Sequence, residues 1–289
     1  MRSLVNTDHC AETFSVIYCD KALSLFDPSN FLLSNFLTLT PYRRLAPESF
    51  IEVYWYAKDR ESLSFRVYAT YLRPDGGRDT YYYVHSGNGM VQHGDAINRE
   101  FISFSTVAEM IKSAKKLDAV TLVSVTLRCG ERSTTIFVDP TLSGIPAFFY
   151  VNCFNIVEQF PLPRITTDKL KVDRSIANLG RTSQFYDVST TKEYEVQTAP
   201  LTSDECRQLE QLLSSPDVRL PVGTDQTWLE SDFYAMHPIL ITDFTSELSD
   251  SDEKPNTAKF TWRFQENRPR FALKPDLEIF DNHFNPIFQ

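Results

Sequence analysis

The sequence lacks the features that would place the chain in a membrane or direct it to secretion. Its longest apolar stretch, residues 31–39, is nine residues long and is interrupted by Ser34 and Asn35. A membrane-spanning helix needs about 20 apolar residues. The N-terminal residues 1–8 contain no apolar segment of a secretory signal. We therefore predict no membrane contact, and synthesis and assembly in the cytoplasm of the producing cell.

The sequence also lacks the motifs of common enzymes. It contains no Gly-x-Ser-x-Gly nucleophile elbow, no phosphate-binding Gly-x-x-x-x-Gly-Lys, no dinucleotide Gly-x-Gly-x-x-Gly and no His-Glu-x-x-His zinc motif. Its five cysteines form no Cys-x-x-Cys pair, so the pattern indicates neither a zinc knuckle nor a redox pair. These absences predict a protein that is not an enzyme, with no cofactor and no bound metal.

Basic residues are too few for a general nucleic-acid binder. The chain has 29 Lys and Arg against 38 Asp and Glu, which gives a formal net charge of −9. Broad neutralisation of phosphates supplies most non-specific affinity for nucleic acids, and an acidic chain opposes it. The hydrophobic share of 42% is nevertheless ordinary for a folded protein. The composition thus predicts a folded protein without specific nucleic-acid binding.

Short alternating runs of apolar and polar residues dominate the first half of the chain. They occur at residues 14–19, 50–57, 63–72, 80–85, 120–129 and 134–138. Such alternation is typical of strands with one buried face, and several of them predict a sandwich. Pro74 to Gly77 and Gly130 with Glu131 are predicted hairpin turns. One helix is predicted near residue 106, with Thr106 and Glu109 spaced as a capping box.

A second unit is predicted after the Pro140 to Pro146 segment, which has the composition of a linker or crossover. Strands are predicted around residues 171–176, 185–198, 218–222, 228–235, 239–244 and 259–264. A helix is predicted from Thr202 to Leu213, where Thr202 and Glu205 form a capping box and Pro216 stops the helix. The fold prediction is mainly β with two sandwich domains, each with one short helix: residues 1–142, residues 143–268, and an extended tail at residues 269–289.

Two clusters of polar residues are candidate metal sites. His85 and His93 flank a glycine-containing loop with Asp95 nearby, but their spacing matches no ligand motif, so a hairpin loop with exposed histidines is the preferred interpretation. The cluster of Asp250, Asp252 and Glu253 lacks the glycine and the distal glutamate of an EF-hand. A solvated acidic loop is preferred there.

Cysteine and tyrosine positions leave further alternatives open. Cys206 falls in the first turn of the second predicted helix, and the helix N-terminus would lower the pKa of its thiol, although an inert buried cysteine is the preferred interpretation. Residues 54–56 and 81–83 place aromatic side chains on both faces of strands. They would form either a carbohydrate-stacking platform or, as we prefer, one core face and one face against a partner.

The last residues of the chain are unusually aromatic for a free coil. This tail would dock either on its own domain or on a neighbouring subunit, and neither alternative is favoured by the sequence. The candidate interface residues are Phe271, Ile279, Phe280, Phe284 and Phe288.

The order of predicted elements in the second unit carries a resemblance. The elements are a strand at residues 194–198, the entry 199–202, a helix of two to three turns, a short strand at 217–220, and strands at 238–243 and 260–264, followed by the ending 280–288. In this order they resemble a family of uncharacterised, tail-associated proteins from phages and prophage-like clusters of Bacteroidetes bacteria. The same order is similar in outline to distal tail and tail-tube proteins of long-tailed phages, which assemble as sixfold rings. The resemblance covers roughly half of the chain, and the first domain shares only its general character.

This resemblance implies a structural role. The chain would be a ring or adaptor protein near the tail tip or baseplate of a virion. It would act through self-association, for which the resemblance implies a sixfold ring, and through contacts with other tail or baseplate proteins. It would have no catalytic residue. Two alternatives are a carbohydrate-binding or surface-binding sandwich module, and a metal-dependent hydrolase that uses His85, His93 and Asp95.

Overall fold

The computed structural model describes residues 19, 27–57, 64–85, 96–179, 182–221, 230–247 and 255–265. Within these residues the fold is mainly β, as predicted, with several sheets and few helices. None of the helices in these ranges is long and apolar enough to cross a membrane.

The first unit comprises α1 (Pro28–Ser34), β1 (Tyr42–Leu45), β2 (Phe50–Ala57), β3 (Phe65–Leu72), β4 (Arg78–Val84), β5 (Ala96–Ser103), α2 (Phe104–Lys115), β6 (Thr121–Cys129) and β7 (Arg132–Val138). Five of these strands form one sheet in the order β1-β7-β6-β3-β4, and β2 pairs with β5 in a second sheet. The sequence pattern did not predict α1, β1 or β5, and the strand that it predicted at residues 14–19 lies, apart from Cys19, outside the described residues.

The two sheets of the first unit share one hydrophobic core. Val53 and Trp55 of β2 pack in the same buried cluster as Val67 of β3 and Val125 of β6. Along β3 the buried and more exposed side chains alternate, as the apolar and polar alternation of residues 64–69 predicts. This arrangement confirms the sandwich-like character that the sequence predicted.

Both predicted hairpin turns of the first unit are present. The segment after Leu72 connects β3 to β4, and Gly76 there has φ of +81°. Gly130, with φ of +62°, connects β6 to β7. Glycine has no Cβ atom and therefore adopts positive φ without the clash that other residues would have. The two glycines thus allow the tight turns that set the register of both hairpins.

Helix α2 begins at Phe104, two residues before Thr106, which is the first residue of the predicted capping box. Its N-cap is Ser103, whose side chain makes no capping hydrogen bond, and Thr106 lies inside the first turn. Glu109 instead forms an ion pair of 2.8 Å with Lys112. The prediction was wrong because Phe104, which is fully buried, starts the helix directly at the end of β5.

The predicted linker is a hydrogen-bonded crossover. Residues Pro140–Leu142 form a 3₁₀ turn, and the Asp139 carboxylate accepts a hydrogen bond from the backbone N–H of Thr141. Ser143 Oγ donates to the Glu48 carboxylate at 2.8 Å. These bonds attach the crossover to the first unit.

The second unit comprises β8 (Phe148–Val151), β9 (Val157–Phe160), β10 (Arg164–Leu179), β11 (Thr182–Thr198), α3 (Ser203–Ser214), β12 (Val218–Leu220), β13 (His237–Glu247) and β14 (Thr257–Phe264). The strands form one antiparallel sheet in the order β10-β11-β14-β13-β12-β8-β9. Helix α3 buries Leu209 and Leu212 in the core of this sheet. The two buried clusters lie on either side of residue 142, but the division into independent domains stays a prediction.

The capping box of α3 is as predicted. Thr202 Oγ1 accepts a hydrogen bond from the backbone N–H of Glu205, and the Glu205 carboxylate accepts from the backbone N–H of Thr202. These reciprocal bonds satisfy two N–H groups that an uncapped helix leaves free.

Replacing Thr202 with alanine is therefore expected to lower the free energy of unfolding by about 1–2 kcal/mol. The matched control is Ser103→Ala at the N-cap of α2, whose hydroxyl makes no capping bond. Chemical denaturation followed by circular dichroism would measure both variants. Equal losses for the two variants would contradict the assigned role of Thr202.

One predicted strand of the second unit is wrong. Instead of a strand around residues 228–235, residues Glu230–Ala235 form a 3₁₀ turn. Phe233 and Met236, three residues apart, pack on Phe149. A 3₁₀ turn places positions i and i+3 on one side, and alternation alone did not reveal that spacing.

Candidate assembly surface

The most exposed feature of the described structure is a long β-hairpin, called here the arm: residues 169–179 of β10 and 182–193 of β11. Strand β11 pairs with β14 only at residues 194–197, whereas its pairing with β10 continues to Leu179. At about 3.3 Å per residue, the two-stranded part extends roughly 35 Å beyond that last shared pairing. The outer edge of β10 has no neighbouring strand in the described sheet, and β11 has none on its β14 side along the arm.

One face of the arm carries exposed aliphatic side chains. Leu170 is 53% exposed, and Val172, two residues further, lies on the same face. The register pairs Thr166 with Val196 and Asp168 with Tyr194, so this face continues the core-facing side of the sheet. Ile176, 59% exposed, lies further along the same strand. A ribbon of two strands is marginally stable in water, and an aliphatic row on it is typical of a surface that a partner covers.

The opposite face of the arm is charged. Lys169 pairs with Glu195, and Lys171 lies 3.8 Å from Asp173. The Lys169 ammonium lowers the pKa of the Glu195 carboxyl through a hydrogen bond and through its charge. Ion pairs this exposed stabilise little. They keep this face solvated. The other face also carries charged groups, the ion pair of Lys192 with Asp168 at 2.7 Å and Arg174, but it exposes Leu170, Val172 and Ile176 and is therefore the face suited to contact.

A buried polar junction joins the two units at the β8–β9 edge of the seven-stranded sheet, the edge opposite the arm. Arg43 of β1 lies 4.0 Å from Glu158 of β9, and both side chains are almost fully buried. Tyr150 donates its hydroxyl to Glu158 at 2.9 Å, and Asn152 donates to Glu158 at 2.7 Å and to the carbonyl of Leu37 at 3.0 Å. Burial, followed by the charge of Glu158, raises the pKa of Tyr150 well above its ordinary value. The junction fixes the second unit, and the arm with it, relative to the first.

The junction encloses a small cleft rather than a substrate pocket. The cleft has a cavity volume of about 10 Å³, room for about one water molecule, and is lined in part by Arg43, Glu52 and Glu158. Ligand sites usually occupy about 300–1,000 Å³. Glu52 is already engaged, since it accepts hydrogen bonds from Tyr54 and Arg99. The charged groups here serve structural contacts between the units.

The described residues contain no cluster of three or more metal-ligating side chains. His85 lies 3.5 Å from Glu100 and packs edge-on against Phe65. His93 and Asp95 of the proposed metal site lie outside the described residues. The acidic residues Asp250, Asp252 and Glu253 and the tail candidates Phe271, Ile279, Phe280, Phe284 and Phe288 also lie outside the described ranges. The interface role of the tail therefore stays a prediction.

The pKa of the Cys206 thiol is raised, whereas a helix N-terminus would lower it. Its side chain is buried beneath α3, and burial raises the pKa of the thiol, with further contributions from the charges of Glu205 and Glu210. A raised pKa reduces the thiolate fraction on which reactivity depends. The prediction of a lowered pKa was wrong because burial disfavours the thiolate and the charges of Glu205 and Glu210 add to that effect, while the preferred interpretation of a buried cysteine fits.

The tyrosine runs divide between core and surface. Tyr81 and Tyr83 pack against the core of the first unit. Burial, followed by the charge of Tyr81, raises the pKa of Tyr83 to about 12. Tyr54 bonds to Glu52, and Tyr82 is exposed. These rings therefore do not form one continuous stacking platform.

Comparison with protein-family models finds no match for the chain, and neither does a search of curated proteins. The likeness to phage tail proteins therefore stays a hypothesis. The function is inferred from the arm and from the exposed side chains of its two faces.

Sequence reasoning missed the arm as a functional feature. It predicted strands within residues 171–176 and 185–198 but not that they pair over most of their length. The signal was available in the unusually long stretch of residues 164–198, which is rich in Thr, Ser and Val and contains no proline. Such a stretch is longer than the usual strand of about five or six residues.

Proposed function

We propose that the protein is a self-associating structural component of a phage or phage-like tail, a ring or adaptor near the tail tip, and not an enzyme. The observation that carries the proposal is the arm, which combines open strand edges with an exposed aliphatic row. Its partners are further copies of the chain and other tail or baseplate proteins. Assembly follows synthesis in the host cytoplasm and ends in the virion.

Two physical arguments support self-association through the arm. Exposed strand edges present unpaired N–H and C=O groups, and monomeric proteins usually blunt or cover such edges. A contact between the arm of one copy and a different surface of the next is heterologous, and repeated heterologous contacts form a ring when the rotation between neighbouring copies closes. The polar junction between Arg43 and Glu158 supports this geometry, since it holds the arm at a fixed position relative to the first unit.

The alternatives have less support in the described residues. A carbohydrate-binding module would use a continuous row of exposed rings, whereas Tyr81 and Tyr83 face the core. A metal-dependent hydrolase would need a cluster of metal ligands. Of the proposed ligands only His85 lies among the described residues, and there it contacts Glu100. The structural role is therefore the function that the geometry supports best.

The test is the oligomeric state of an arm variant. Wild-type chain is expected to form oligomers in sedimentation velocity and rings in electron microscopy as its concentration rises. The double variant Leu170→Asp with Val172→Asp is expected to weaken association by about a hundredfold, since burying two aliphatic side chains contributes roughly 3 kcal/mol or more.

The matched control is Ile165→Asp. It makes the same kind of change on β10, at a side chain that is 74% exposed but lies on the opposite, charged face. This variant is expected to associate as the wild type does. A wild-type chain that stays a monomer at high concentration, or an Ile165→Asp variant as impaired as the double variant, would contradict the proposed role of the arm.

A further inference from the structure

The outward face of the five-stranded sheet has a charge pattern that the proposed function does not explain. Its four rows across the strands contain no acidic residue, although acidic residues outnumber basic ones in the chain. The register gives these rows in order. The first row contains Val84, Arg66, Arg128 and Ser133, and the second contains Tyr82, Tyr68, Thr126, Thr135 and Tyr42. The third row contains Thr80, Thr70, Ser124, Phe137 and Arg44, and the fourth contains Arg78, Leu72 and Thr121.

Two arginines face each other in the first row. Arg66 of β3 and Arg128 of β6 are direct register partners. Like charges placed directly opposite each other on a sheet are destabilising. Among the described residues no carboxylate lies within 4.0 Å of either guanidinium: Arg66 donates to Ser64, and Arg128 lies over the ring of Tyr68. An anionic partner would relieve this repulsion.

The rows beside the arginine pair offer apolar contact. Tyr82 is 48% exposed and its ring lies 5.0 Å from that of Tyr68, which in turn lies beneath Arg128. Val84 is 52% exposed next to Arg66. A ligand for this surface therefore carries negative charges and also touches aromatic and aliphatic side chains.

The same face already binds carboxylates at its β1 edge. Arg44 donates to Glu205 of α3 at 2.8 Å and to Asp139 at 3.2 Å. Planar guanidinium groups suit carboxylates geometrically. This contact shows that carboxylates of the second unit are chemically suited to the arginines of this face.

The densest acidic run of the chain lies in the second unit. Residues 247–253 contain four carboxylates, those of Glu247, Asp250, Asp252 and Glu253, and no basic residue. The run is part of the connection between β13 and β14, whose last pair is Glu247 with Thr257. The connection of nine residues is longer than the usual hairpin loop of about two to five residues.

We propose that the outward face around Arg66 and Arg128 binds the acidic segment 247–253 of a second copy of this chain. The inference deepens the proposed function, because it supplies a second contact between copies that is separate from the arm. It is a heterologous contact: the first unit of one copy receives the second unit of the next. Such contacts are the kind that close into rings. Surface charge pairs are screened by salt, so this contact weakens as ionic strength rises.

The test is a charge-swap experiment on the full chain in sedimentation velocity. Arg66→Glu with Arg128→Glu is expected to weaken association about tenfold, and so is Asp250→Lys with Asp252→Lys. An equimolar mixture of the two variants is expected to recover association, because the lysines of one variant then face the glutamates of the other. Lys115→Glu with Lys116→Glu on α2 matches the first change in net charge and is expected to leave association unchanged.

The outcomes separate this inference from the proposed function. If wild-type chain associates and both charge variants associate equally well, the arm alone carries assembly and the acidic contact is refuted. A mixture that stays dissociated places the acidic segment on its own chain or on another surface, and also refutes the inference. If only the arginine variant loses association, and the wild-type chain binds single-stranded DNA or an acidic glycan, the anionic ligand of this face is a different one and the inference is refuted. A monomeric wild type refutes the proposed function as well.

Discussion

Replacing Glu158 with alanine is expected to lower the free energy of unfolding by about 3–5 kcal/mol, which is the usual result of removing one partner of a buried ion pair. The Glu158 side chain is 4% exposed and that of Arg43 is 2% exposed. Without Glu158 the guanidinium of Arg43 stays buried and loses its ion-pair partner, while Glu52, which lines the same cleft, is already paired with Arg99. Since single domains are stable by about 5–15 kcal/mol, the loss is a large fraction of the total.

Two neutral donors add to this loss. Tyr150 and Asn152 each donate a hydrogen bond to Glu158, at 2.9 Å and 2.7 Å. A buried donor without its acceptor contributes an unfavourable term of about 1–3 kcal/mol. Glu158→Gln keeps an acceptor oxygen for Tyr150 but removes the charge, so its loss is expected to lie between those of the wild type and the alanine variant.

The double variant Arg43→Met with Glu158→Met separates charge from packing. Replacing a whole buried pair by apolar side chains is often nearly neutral, so the double variant is expected to be more stable than either single methionine variant. Glu195→Ala is the surface control, because Glu195 and Lys169 form an exposed ion pair that contributes little to stability. Equal losses for Glu158→Ala and Glu195→Ala in urea denaturation would show that Arg43 does not depend on Glu158.

The sequence predicted those parts of the fold that depend on local patterns. Alternation over residues 64–69 predicted β3, the glycines near residues 76 and 130 predicted two hairpins, and Thr202 with Glu205 predicted the start of α3. Each of these signals acts between residues that are close in sequence. No long-range knowledge is needed to read them.

The assembly surface and the junction could not be predicted in the same way. Arg43 and Glu158 are more than 100 residues apart, and nothing in their local sequences indicates that they meet. The opposition of Arg66 and Arg128 depends on the register of β3 with β6, and a slip of one strand by one residue would turn its arginine towards the core. The pKa of Cys206 depends on its burial beneath α3, which the helix position alone does not reveal.

Replacing Trp55 with alanine is expected to lower the free energy of unfolding by about 3–5 kcal/mol, the usual loss for removing a large buried aromatic side chain. Trp55 of β2 is 1% exposed, and its ring packs edge-on against Phe36 at 6.2 Å and stacks on Phe65 at 5.7 Å. Alanine would leave a cavity between the two sheets of the first unit, because both sheets contribute to this core.

Trp55→Phe is the matched control. The indole N–H of Trp55 has no hydrogen-bond partner among the described residues. Phenylalanine keeps a stacked ring, removes this unsatisfied donor and leaves a smaller cavity than alanine does, so we expect a clearly smaller loss than for the alanine variant. If the phenylalanine and alanine variants lose the same stability by calorimetry, ring packing is not the reason for the effect.

The alanine variant also measures how strongly the two units are coupled. The chain has three tryptophans, and after Trp55→Ala the remaining two, Trp228 and Trp262, both belong to the second unit. Unfolding of the first unit would remove Arg43 from Glu158, and the carbonyl of Leu37 from Asn152. Because groups of the second unit would then lose their partners, we expect tryptophan fluorescence and circular dichroism to report one transition, at the same lowered urea midpoint. A fluorescence midpoint that stays at the wild-type value while the circular dichroism signal falls earlier would show that the units unfold separately, and that the polar junction does not couple them.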